Sequence, residues 1–154
     1  MIITNENDGY IFFEVIKRLE AMSILDVGML LKRIGAVSRC AMNEEVPKDA
    51  LLAGVDFFPE TDFPVWKNVY DQIIQKDAFL ECQQIQQYDL AVMLGAEELA
   101  ERVDMPEIIR KVGCQTRYVL TDALLEDWKK QKPDLRMIDV SVENDRYYLL
   151  DFGE

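Results

Sequence analysis

Ile24-Leu25-Asp26-Val27-Gly28 is a short apolar run that stops on an acid and a glycine. A continuous apolar run of about four to eight residues reads as a strand covered on both faces, and a glycine after it marks a turn. Leu51-Leu52-Ala53-Gly54-Val55, closed by Asp56, has the same character, as does Leu90 to Leu94 running into Gly95. Arg117 to Leu120 predicts one more strand. Between these runs the apolar period changes. Ile11, Val15, Ile16 and Leu19 share one helical face over Tyr10 to Met22, after an Asn/Asp-rich start that can cap the helix. Leu30, Ile34, Val37 and Ala41 predict a second helix, stopped by Glu44, Glu45 and Pro47. Glu97 to Val112 predicts a third, broken near Pro106.

Strands that alternate with helices predict an α/β fold, doubly wound around a mostly parallel sheet. The segment around Val69, Ile73 and Ile74 fits a strand or a helix equally. Thr121 and Asp122 are placed to cap a short helix carrying Leu125 and Trp128. Near the C-terminus, Met137, Ile138, Val140 and Val142 precede a turn at Glu143-Asn144-Asp145, and Tyr147 to Phe152 resumes an apolar, aromatic run. Two strands joined by a tight turn must be antiparallel. With no linker, repeat or low-complexity segment, residues 1–154 are expected to form one domain.

Composition narrows the chemistry. The 29 acidic residues against 17 basic ones leave a net charge of −12, which repels a phosphate backbone and disfavours nucleic acid as a partner. The chain has no histidine, which removes Ser-His and Cys-His nucleophile pairs and imidazole metal sites. Cys40, Cys82 and Cys114 fit neither a zinc motif nor a disulfide framework and are expected to be buried thiols, with no metal centre. No stretch approaches the about 20 apolar residues of a membrane span, and no cleavable leader is visible, so a cytoplasmic location is expected. Small-molecule or protein partners suit this surface, as does a homo-oligomer.

The order of elements and two strand-terminal acids resemble the class I S-adenosylmethionine (SAM)-dependent methyltransferases from about Leu19 to Phe152. Asp26 and Gly28 resemble the family's first motif, and Asp56 in Gly54-Val55-Asp56-Phe57 resembles the acidic end of its second strand. The resemblance implies a seven-stranded sheet between two helical layers, closed by a C-terminal hairpin. It also implies a SAM site at the carboxyl edge of the strands. There Asp56 would accept hydrogen bonds from the ribose diol, and Phe57 would lie beside the adenine. Asp77 in Gln75-Lys76-Asp77-Ala78 resembles the acid that meets the adenine amino group, and Tyr88 to Gly95 resembles the fourth strand and its exit loop.

One departure concerns the loop after the first strand, where the family has further glycines and this chain has Leu30 and Lys32. Either Lys32 or Arg33 grips the cofactor carboxylate in place of a backbone contact, or side-chain bulk closes the pocket. The interval from Asp26 to Asp56 is also longer than the resemblance predicts, which points to a rearranged loop.

Three functions follow from these alternatives. The first is methyl transfer to a small molecule or protein, with Asp89 or Glu97 as candidate proton acceptor. The second is a non-catalytic module on the same fold, with Phe57, Phe58, Phe63 and Trp66 as its contact loop. The third, a nicotinamide-dependent oxidoreductase, lacks the Gly-x-Gly-x-x-Gly turn.

Overall fold

A computed structural model describes residues 6–33, 46–47, 49–57, 69–81, 87–101 and 103–153. In chain order the elements are α1 (Glu6–Leu19), β1 (Ser23–Val27), α2 (Leu30–Arg33), β2 (Leu51–Asp56), β3 (Gln72–Gln75), α3 (Lys76–Glu81) and β4 (Tyr88–Met93). They continue with α4 (Ala96–Leu99), α5 (Met105–Gln115), β5 (Thr116–Thr121), α6 (Leu125–Gln131), β6 (Arg136–Asp139) and β7 (Tyr148–Asp151).

The strands form one seven-stranded sheet in the order β3-β2-β1-β4-β5-β7-β6. The first five pair in parallel, and β7 runs antiparallel to both β5 and β6. This is the doubly wound, Rossmann-like α/β architecture expected from the apolar runs, with the C-terminal hairpin added at one edge. Strand order reverses between β1 and β4, and the carboxyl edge at such a switch point is where open α/β sheets bind ligands.

Period-two alternation sorts the core into two layers. Ile24, Leu52, Leu90, Val92 and Leu120 join Ile11, Phe12, Val15 and Ile16 of α1 and Leu30 and Leu31 of α2 on one face. Leu25, Ala53, Val55, Ala91, Met93 and Val119 meet α3 to α6 on the other, through Phe79, Leu99, Ile108, Val112 and Trp128. Helices on both faces of a parallel sheet explain why its central strands read as nearly continuous apolar runs.

Two local expectations are sharpened and two are corrected. The ambiguous segment resolves into β3 followed directly by α3. The helix expected over Glu97 to Val112 with a break near Pro106 is indeed two helices, and Pro106 sits in the first turn of α5, where its missing N–H leaves no bond unmade. Asp122 does not cap α6, whose N-cap is Leu124 in a left-handed conformation with no side-chain bond. Cys114 is exposed on α5 rather than buried, while Cys40, Cys82 and the second helix beyond Arg33 lie outside the described residues. No helix among the described residues is long and apolar enough to cross a membrane.

Candidate functional site

At the switch point β1 delivers Asp26, which is wholly buried. Because residues 24 and 26 share a face of the strand, its carboxylate points towards α2. It accepts the backbone N–H of Leu30 at 2.7 Å and of Leu31 at 3.2 Å, which caps the first turn of that helix. The Tyr70 hydroxyl also donates to it, at 2.6 Å. Tyr70 arrives from the residues before β3 and crosses above β2 to reach Asp26. The residue paired with Asp26 in β2 is Gly54, where a Cβ would lie 2.9 Å from the Met29 side chain and 3.0 Å from the Tyr70 ring. Glycine at 54 is the sequence condition for that crossing.

The chain then turns through two left-handed residues, Gly28 at φ +89° and Met29 at φ +54°. The N–H of Gly28 donates to the Val55 carbonyl at 2.9 Å, which ties the turn to the end of β2. A Cβ on Gly28 would come within 2.9 Å of Leu99 in α4. Leu30, at the second glycine position of the resemblance, is fully buried among the residues of the α1 face. Lys32 falls within α2, and its side chain is not among those described.

The other sequence candidates distribute around the same edge. Asp56 ends β2, next to β1, and is buried. Phe57 follows it and packs into the core layer of α3 to α6, while Phe58, Phe63 and Trp66 lie outside the described residues. Asp77 lies exposed in the first turn of α3, directly after β3. Gly95 leaves β4 at φ +72° and caps α4. Asp26, Gly28, Asp56, Asp77 and Gly95 therefore all follow or end neighbouring parallel strands. Asp89 does not join them: it lies near the start of β4, at the amino edge, and accepts the N–H of Met22 at 2.8 Å.

Sequence reasoning missed a cleft of about 330 Å³ beside Gly95, walled by Asp8, Glu97, Asp122, Asp145 and Tyr147 among others. Asp8 comes from α1 and Tyr147 from the segment leading into β7. Both are buried, and the tyrosine hydroxyl donates to Asp8 at 2.5 Å. Asn7 donates to Asp145 at 2.7 Å, so the start of α1 is clamped to the hairpin turn. These partners lie 139 and 138 residues apart in the chain, a distance over which no local pattern signals contact.

Burial first, then the hydrogen bond and charge of Asp8, with Asp145 and Asp122 behind, push the Tyr147 hydroxyl well above the ordinary tyrosine range. The fold thus holds this proton more tightly than the unfolded chain does. Its contribution to stability is complete below about pH 10, where an unfolded tyrosine titrates, and declines as pH rises above that value. Wild type is expected to lose stability more steeply than Tyr147→Phe through that alkaline range, as read by urea unfolding at a series of pH values. Parallel curves would contradict the assignment.

No family model matches the chain, and no curated protein matches it in sequence. Solved structures do match it in fold. An O-methyltransferase from Bacillus cereus in complex with S-adenosylhomocysteine (SAH) superposes with a TM-score of 0.65 at 10% identity, covering 97% of this chain and 82% of that one. TomG, the O-methyltransferase of tomaymycin synthesis from Streptomyces achromogenes, in complex with SAM, gives 0.57 at 14%, covering 97% and 81%. The N-methyltransferase NodS from Bradyrhizobium japonicum WM9 gives 0.55 at 12%, covering 97% of each chain. The fold is that of the SAM-dependent methyltransferases, the class to which these structural neighbours belong.

Proposed function

We propose that this chain is a divergent SAM-dependent methyltransferase-like protein that holds the methyl donor at the carboxyl edge of β1, β2 and β4. The observation that carries the reading is the convergence of Gly28, Asp56 and Gly95 on the switch point of a sheet whose structural neighbours include chains holding SAM and SAH. The left-handed turn at Gly95 brings backbone without a side chain to this edge, the turn at Gly28 makes room for Leu99, and a carboxylate ends the neighbouring strand. That donor set suits a nucleoside. Asp56 accepts from the ribose diol, Asp77 from the adenine amino group, and Lys32 or Arg33 pairs with the cofactor carboxylate. The burial of Leu30 in the α1-side core supports an open edge, since that side chain is packed against protein.

SAM supplies a methyl group already activated towards a nucleophile, so the protein's contribution is binding, orientation and removal of a proton from the acceptor. The cleft beside Gly95 adjoins the proposed donor edge and is of a size that suits a small-molecule acceptor or one protein side chain. Glu97, on its wall, is a candidate proton acceptor, and the position of Asp89 at the amino edge speaks against that residue. The negative charge of the chain argues against a nucleic-acid acceptor.

Titration calorimetry with SAM and SAH tests the reading. The wild-type chain is expected to bind SAH, and Asp56→Ala to weaken it by roughly 100-fold, the equivalent of about 3 kcal/mol from charge-assisted hydrogen bonds. Absence of heat with either ligand at high concentration would leave a non-catalytic use of the fold as the working reading.

A further inference from the structure

The corner where β4 becomes α4 is held from outside itself. Gly95 occupies the N-cap position of α4 and has no side chain with which to cap it. Its own N–H donates to Asp122 Oδ2 at 2.9 Å, and that of Ala96 to Asp122 Oδ1 at 3.2 Å. Asp122 follows β5, the strand next to β4. The preceding residue, Thr121, is wholly buried, pairs in register with Met93, and has its hydroxyl 3.3 Å from the Met93 carbonyl. Asp122 thus fastens the corner, and the strand pairing of Thr121 with Met93 places it there.

A side chain at position 95 would be an ordinary cap, but it would reach the N–H groups of Glu97 or Glu98 and not the two that Asp122 takes. It would also set a side chain at φ +72°, a backbone conformation that favours glycine, on a residue that lines the cleft. A carboxylate on the neighbouring strand leaves the corner bare and fixed at once. Backbone that a ligand must approach closely needs both properties.

We infer that Asp122 is a positioning residue for the methyl donor, acting through the N–H groups of Gly95 and Ala96 to hold the β4 exit corner against the donor edge. This rests on the methyl-donor reading above. It assigns to Asp122 no contact with the donor, so its removal acts by letting the corner move.

The test is SAH affinity by calorimetry on the full chain, at a temperature well below every unfolding midpoint, with Tm recorded alongside. Asp122→Ala is expected to weaken SAH about tenfold, and Asp122→Asn, whose amide oxygen still accepts one N–H but without the charge, about threefold. Asp89→Ala is the control: it deletes a carboxylate bonded to the Met22 N–H at 2.8 Å at the opposite edge, and is expected to lower Tm without changing affinity. Should Asp122→Ala not fold, Asp122→Asn against Asp89→Ala carries the comparison. Unchanged SAH affinity in a folded Asp122 variant, or an equal loss in Asp89→Ala, overturns the inference while the donor reading stands. Absence of SAH binding by the wild-type chain overturns both.

Discussion

Asp26→Ala is expected to lower the unfolding free energy by about 3 to 4 kcal/mol. A lost helix cap costs about 1 to 2 kcal/mol, and a buried hydroxyl left without its acceptor about 1 to 3. Both losses fall on one residue, because its carboxylate takes the N–H groups of Leu30 and Leu31 together with the Tyr70 hydroxyl. Against a typical domain stability of about 5 to 15 kcal/mol, this is a large fraction. Tyr70→Phe removes only the hydroxyl and should cost about 1.5 to 3 kcal/mol, the range for a hydrogen bond to a charged group. The double variant should cost clearly less than the two singles added, since they share a bond. Urea unfolding of the four proteins measures all of this, and a loss under about 1 kcal/mol in Asp26→Ala would show that the cap is not what the acid contributes.

Trp128→Ala is expected to cost about 3 to 5 kcal/mol, because the side chain is wholly buried and its loss leaves a large void. The indole fills the layer between α6 and the sheet, edge-to-face against Phe152 with centroids 5.7 Å apart. Its Nε1 has no hydrogen-bond partner among the described residues, so the ring contributes through packing, while the N–H is buried at a net cost. Trp128→Phe should therefore cost much less, about 1 kcal/mol, since the smaller void is offset by removal of an unpaired donor. Thermal unfolding of both variants separates the terms. Equal losses would mean that the indole N–H has a partner in solution.

The apolar runs at Ile24, Leu51 and Leu90 determined the strands of a parallel sheet, since both faces of each are covered and the pattern is carried by neighbouring residues. The 3.6 period determined α1 and the start of α2 in the same way, and the turn at Glu143-Asn144-Asp145 determined the antiparallel hairpin. Asp26, Asp56 and Gly95 were visible as strand-end residues, because polar punctuation after an apolar run is local information. Their partners were not. Whether Asp26 faces solvent or caps α2 depended on Tyr70, 44 residues away, and on a glycine at 54 that lets its ring cross. Asp122 looked like the cap of the helix that follows it, and tertiary packing gave it to α4, 26 and 27 residues earlier. The cleft walled by Asp8 and Tyr147 joins the two ends of the described chain. Periodicity records which face of an element meets a core, whereas a buried hydrogen bond between distant side chains has no period. Only the folded arrangement of the strands decided that Asp26 caps α2 and meets Tyr70, and that Asp122 holds the corner before α4.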